Sequence, residues 1–114
     1  MKFENMTNQN VTKAFFEATR DIIAENTSPA YSEFAMNGVR EQLSKEFKFL
    51  KNIRIKGQAI EVDRTINYIR KNELKRFFAK IVNMIGPNYL KMLLSQRLEP
   101  EELRYLENLG LEFG

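Results

Sequence analysis

Cysteine, histidine and tryptophan are absent from this chain, and aspartate occurs only as Asp21 and Asp63. Without cysteine there is no disulfide, no thiolate nucleophile, no iron–sulfur ligation and no thiolate zinc site. Without histidine the commonest general base and the commonest transition-metal ligand are missing. No Ser–His–Asp or Cys–His machinery can therefore be assembled from these residues. Two scattered aspartates make no Asp-rich loop for Mg²⁺ or Ca²⁺. The expectation is a protein that is not an enzyme and takes no cofactor or metal. Lys and Tyr chemistry are the routes this leaves open.

Long hydrophobic runs are missing too. The longest charge-free stretch, Ile81 to Leu90, is ten residues and is broken by Gly86-Pro87. A membrane helix needs about 18 or more apolar residues. Met1 to Thr7 carries Lys2 and Glu4 and no apolar signal core. The expected setting is cytoplasmic, with no membrane.

The chain is 114 residues long, 43% hydrophobic and 29% charged, which is one domain's worth with material for a core. A single domain over residues 1–114 is expected. Pro29, Pro87 and Pro100 each follow a stop and open a helix, where the missing N–H costs nothing. From about Asn8 to Glu25, Val11, Ala14, Phe15, Ala18 and Ile22 form one helical stripe. Thr27 or Ser28 can cap the next helix. In it Tyr31, Ala35, Val39, Leu43 and Phe47 recur every fourth residue, widened by Phe34 and Leu50. Gly38 inside that helix predicts a close crossing with the first.

The period then changes from four to two. Ile53 and Ile55 alternate with Arg54 and Lys56, and Ile60 and Val62 with Glu61 and Asp63. Gly57-Gln58 between them suits a type II′ turn. That register sets Ile55 against Ile60, Ile53 against Val62 and Arg54 against Glu61. Residues 64–71 show no decisive pattern. Leu74, Phe77, Phe78, Ile81 and Ile85 mark a third helix, with Asn72 a candidate cap. Tyr89, Leu90, Leu93, Leu94 and Leu98 mark a fourth. A fifth opens at Pro100 with Glu101 and Glu102 and ends at Gly110, and Leu111 and Phe113 should fold back on the core. The fold class is mainly α (α+β): five helices and one small hairpin, in the order α-α-β-β-α-α-α. Phe15, Phe34, Phe47, Phe77 and Phe78 are expected in the core, and Met84 and Met92 as gap fillers.

The net charge of +3 hides an asymmetry. Residues 40–80 hold twelve basic against five acidic residues, while the segments on either side are each net acidic. Lys71, Lys75, Arg76 and Lys80 crowd one helix, and the like-charged pairs four residues apart repel. They form the candidate site for an anion or acidic partner. The expected offset is internal, from the acidic helix between Glu99 and Glu107, or comes from a protein partner. A helix pair followed by a hairpin also fits a winged helix-turn-helix, with Arg54, Lys56 and Arg64 on the wing. There the stretch that should read bases, Ala30 to Phe34, has one acid and no base.

These observations favour a small regulatory or adaptor protein acting through protein–protein contacts, as a homodimer. The interface is expected at the hairpin or at an exposed part of an apolar helical stripe. The alternative is a winged-helix-like nucleic-acid-binding regulator using the basic segment 40–80. A third option is a sensor for an apolar small molecule held among the aromatic residues.

Overall fold

The computed structural model describes residues 6–113, and in them the order α-α-β-β-α-α-α is present. The first helix, α1 (Asn8–Asn26), is capped by the Thr7 hydroxyl, which accepts from the Asn10 N–H at 3.1 Å. Its buried row is Asn8, Val11, Thr12, Phe15, Phe16, Thr19 and Ile22. Five other elements pack on α1, so it forms the axis of the molecule. The Ser28 hydroxyl caps α2 (Pro29–Leu43), accepting from the Tyr31 N–H at 3.1 Å, with Pro29 in the first turn.

The second helix differs from its expected form in two ways. It stops at Leu43 rather than running on past Phe47. The Ser44 hydroxyl donates to the Glu41 carbonyl at 2.7 Å, a local bond that competes with helix continuation. The chain then turns and enters a 3-10 turn, Lys48–Asn52, which returns Phe47, Phe49 and Leu50 to the core. A straight continuation would carry those side chains away from it. The buried row of α2 is also rotated from the expected stripe. Ser32, Met36 and Leu43 face inward, while Tyr31 and Phe34 face out. Ser32, fully buried, makes the close crossing by donating to the Arg20 carbonyl at 2.7 Å. Gly38 does not: a side chain there would meet nothing within 4 Å.

The hairpin of β1 (Ile53–Lys56) and β2 (Ala59–Val62) has the register read from the alternation, with Ile53 opposite Val62, Arg54 opposite Glu61 and Ile55 opposite Ile60. Gly57 has φ +59°, and among the described residues no non-glycine has positive φ. Type I′ would need both central residues positive, so the turn is type II′. Ile53, Ile55, Ile60 and Val62 lie on the buried face. An isolated ribbon is marginal in water, and this one is held by packing on α1 and α2. The stretch after it is a second 3-10 turn, Arg64–Tyr68, capped by Asp63 accepting from the Thr65 N–H at 2.8 Å.

The last three helices are α3 (Lys71–Ile85), α4 (Pro87–Arg97) and α5 (Pro100–Leu109). Arg70, not Asn72, is the residue before α3, and it makes no side-chain cap bond. Glu99 and Glu102 form a reciprocal capping box at the start of α5. Its end is Gly110 at φ +115°, after which Leu111 returns to the core. The centre is aromatic. The Phe15 and Phe78 rings lie 4.6 Å apart, and Phe77 meets Phe49 at 5.0 Å and Phe47 at 5.3 Å, edge to face. Met84 and Met92 are exposed rather than filling gaps. No helix among the described residues is long and apolar enough to cross a membrane.

Candidate functional site

Successive residues of a helix turn by about 100°, so the four cations of α3 do not share one face. Arg76 and Lys80 lie on one flank and Lys71 and Lys75 on the other, with Ala79 and Asn83 between. The first pair shares one carboxylate within the fold, that of Glu46 rather than one from the acidic helix. One oxygen of Glu46 is 2.9 Å from Lys80 Nζ and the other 3.2 Å from Arg76 Nη1. The turn that breaks α2 at Leu43 is what delivers Glu46 there. The same turn sets the Phe47 ring under Arg76, 5.2 Å from the guanidinium carbon.

The second pair has no carboxylate partner among the described residues. Lys75 lies across the end of α5: an added Cβ at Gly110 would fall 2.9 Å from its Cδ and Cε and 3.0 Å from Nζ. Its ammonium thereby meets the negative end of that helix dipole. So α5 serves Lys75 through its last turn and not through Glu99, Glu101, Glu102 or Glu107. Lys71 is exposed at the start of α3, beside the second 3-10 turn.

The hairpin brings further cations to the surface. Its tip is tied to the first turns of α2: Glu33 accepts from the Gly57 N–H at 2.8 Å, and Gln58 Nε2 donates to the Pro29 carbonyl at 3.3 Å. Arg20 donates to the Gln58 carbonyl as well. The start of α2, which would read bases in a winged helix, therefore holds the hairpin tip. At the other end Arg40 Nε donates to the Ile53 carbonyl at 2.6 Å. Arg54 pairs with Glu61 at 3.2 Å on the solvent face, between side chains that are both more than half exposed, so the pair contributes little.

Beyond the open end of the hairpin, Asn8 holds the second 3-10 turn. Its amide donates to the Ile66 carbonyl at 3.3 Å and the Ile69 carbonyl at 3.1 Å, and its oxygen accepts from the Tyr105 hydroxyl. Gln9 donates from its backbone to Asn67 Oδ1 at 2.7 Å and from its side chain to the Val62 carbonyl at 2.9 Å. Burial raises the Tyr105 pKa, which keeps the hydroxyl a neutral donor. The Thr65 backbone N–H and then its hydroxyl, with Arg64 and Arg54 adding to them, lower that of Asp63. Tyr68, the last residue of the turn, is 86% exposed. Sequence periodicity missed it because it belongs to no stripe. Its position among Arg64, Arg70 and Lys71 was the available signal.

On α2, Phe34 is 73% and Tyr31 52% exposed, with ring centroids 6.2 Å apart. Ala30 and Gly38 lie one turn on either side of Phe34, in a groove also lined by Glu33, Arg40 and Glu41. Among the described residues no cluster of three or more acidic side chains is placed to hold a metal ion. No family model matches this chain, and neither a curated protein nor a solved structure does.

Proposed function

We propose that the protein is a small, non-enzymatic contact module of regulatory or adaptor type that pairs with a second copy of itself through the outer face of α2. The observation that carries this reading is Phe34, 73% exposed in the middle of a helix and flanked one turn away by Ala30 and Gly38. Burying such a ring is worth about 1.5–3 kcal/mol. A large side chain beside small ones is a knob beside a hole, and a two-fold axis fits each knob to the other copy's hole.

The charges agree with an antiparallel crossing. In such a pair the same flank of each helix meets. Glu33 and Arg40 share the hairpin-side flank of α2, seven residues apart. Placing Phe34 over Gly38 of the second copy sets Glu33 beside that copy's Arg40, and symmetry repeats the pair. One contact built on a single 15-residue helix is small beside the roughly 800 Å² per partner of standard interfaces. The expected dimer is accordingly a micromolar one. Sedimentation analysis across the micromolar range tests it. Wild type should shift from monomer to dimer, and Phe34→Glu should stay monomeric and melt with wild type at concentrations where both are monomers. Wild type that remains monomeric throughout that range overturns the reading.

A further inference from the structure

At the open end of the hairpin, Ile53 pairs with Val62 and the Asp63 N–H donates to the Asn52 carbonyl at 2.9 Å. The 3-10 turn entering β1 and the one leaving β2 therefore emerge side by side, and they touch. Residues three apart eclipse in a 3-10 helix. Lys48 and Lys51 thus stand on one face of the first turn, both exposed. Arg64 opens the second turn, and Arg70 and Lys71 follow it, also exposed.

Glu73, in the first turn of α3, makes no ion pair among the described residues, and the other carboxylates of this end are committed elsewhere. Asp63 caps the turn, Glu61 takes Arg54, and Glu46 lies between Arg76 and Lys80. Lys48, Lys51, Arg64, Arg70 and Lys71 have no ion-pair partner among the described residues. Beside them Tyr68 presents its ring to solvent at 86% exposure, with no ring contact and no hydrogen bond of its side chain among the described residues. Yet its backbone is not loose. Asn8 and Gln9 fasten the flanking carbonyls and Asn67 to the start of α1. An unstacked aromatic ring on a pinned backbone, in a field of unpaired cations, is the arrangement that holds single strands: bases stack on the ring and phosphates meet the charges.

We propose that this end of the molecule binds single-stranded nucleic acid, with Tyr68 the stacking platform and Lys48, Lys51, Arg64, Arg70 and Lys71 the phosphate contacts. This surface is separate from Phe34 and does not depend on pairing through α2. An acidic peptide would use the cations and leave the ring idle. A duplex needs an element that enters a groove, and two blunt turns offer none.

Fluorescence anisotropy with labelled oligo(dT) and oligo(U) at roughly 50 mM salt tests the proposal. Binding should weaken with salt at a slope of about −0.7 per phosphate contacted. Tyr68→Ala should weaken it about tenfold while Tyr68→Phe retains it, since the ring and not the hydroxyl stacks. The double variant Lys51→Glu, Arg64→Glu should flatten the salt slope. All of these positions are exposed, so the variants should melt with wild type. Four outcomes overturn the proposal: no binding at low salt, affinity unchanged by Tyr68→Ala, tighter binding to the matching duplex, or equal displacement by polyglutamate.

Discussion

Asn8 is the polar residue on which the most distant parts of the chain converge. It is buried, and all its side-chain bonds among the described residues reach positions at least 58 away. Its oxygen depends on the hydroxyl of Tyr105. Tyr105→Phe removes that donor and leaves a buried acceptor, which costs about 1–3 kcal/mol. The substitution also changes the alkaline limb. Burial raises the Tyr105 pKa above its ordinary 10.0, so the folded chain keeps that proton longer than the unfolded one. Stability is then full below pH 10.0 and falls as pH rises through the folded value. Thermal melts between neutral and strongly alkaline pH should show a lower plateau and a shallower alkaline decline in Tyr105→Phe. An identical decline in both proteins would show that Tyr105 is not the group responsible.

Among the elements, the hairpin depends most on one backbone conformation. Gly57 has φ +59°, and an added Cβ there would touch nothing. Gly57→Ala therefore isolates the conformational cost, about 1–3 kcal/mol for an L-residue held in so sparsely populated a backbone region. Urea titration should show a lower midpoint at unchanged slope, because the same surface is still exposed on unfolding. A midpoint equal to that of wild type would mean that the turn tolerates a side chain. This hairpin was legible in full from four alternating apolar residues and one glycine, since a slip of one residue would turn them all to solvent. The second helix was less so. Its apolar residues fall in two rows, and the row with Tyr31 and Ala35 looks the stronger. The row that is buried contains Ser32, a polar residue whose hydroxyl is satisfied only across the crossing, by the Arg20 carbonyl. The four-residue spacing of Leu43 and Phe47 also continues straight through the break, and it hid the turn that carries Glu46 to α3. The candidate site was half legible for that reason. Charge counting found Lys71, Lys75, Arg76 and Lys80, but only the fold shows that Glu46 takes two of them. Tyr68 lies in the stretch without a period, where pattern reading has nothing to count.

At the scale of the molecule, 35 × 29 × 24 Å, every layer leans on α1. The last helix supplies Tyr105 to Asn8, and Leu106, Leu109 and Leu111 to the core. Removing it leaves α1 and α3 with apolar surface facing water. A chain truncated after Leu98 should lose its cooperative melt while keeping much of its helical circular dichroism. A sharp transition near that of the full chain would show that the first four helices form a core of their own. Charge follows the same architecture. In the basic middle segment Arg76 and Lys80 share Glu46, Lys75 rests on the end of the final helix, and Lys48, Lys51, Arg64, Arg70 and Lys71 gather where the hairpin opens.

The bond between Asn8 and Tyr105 also has a temporal side. The two residues are 97 positions apart. Translation adds about 5–20 residues per second, so on the order of 5–20 s separates the emergence of one from the other. For that interval the axis of the molecule exists without the helix that closes over it. The apolar row of Val11, Phe15 and Ile22 must wait, shielded only by its nearest neighbours in the chain. Among the described elements, α1 is thus made before every element that packs on it, and its enclosure is completed only when α5 arrives.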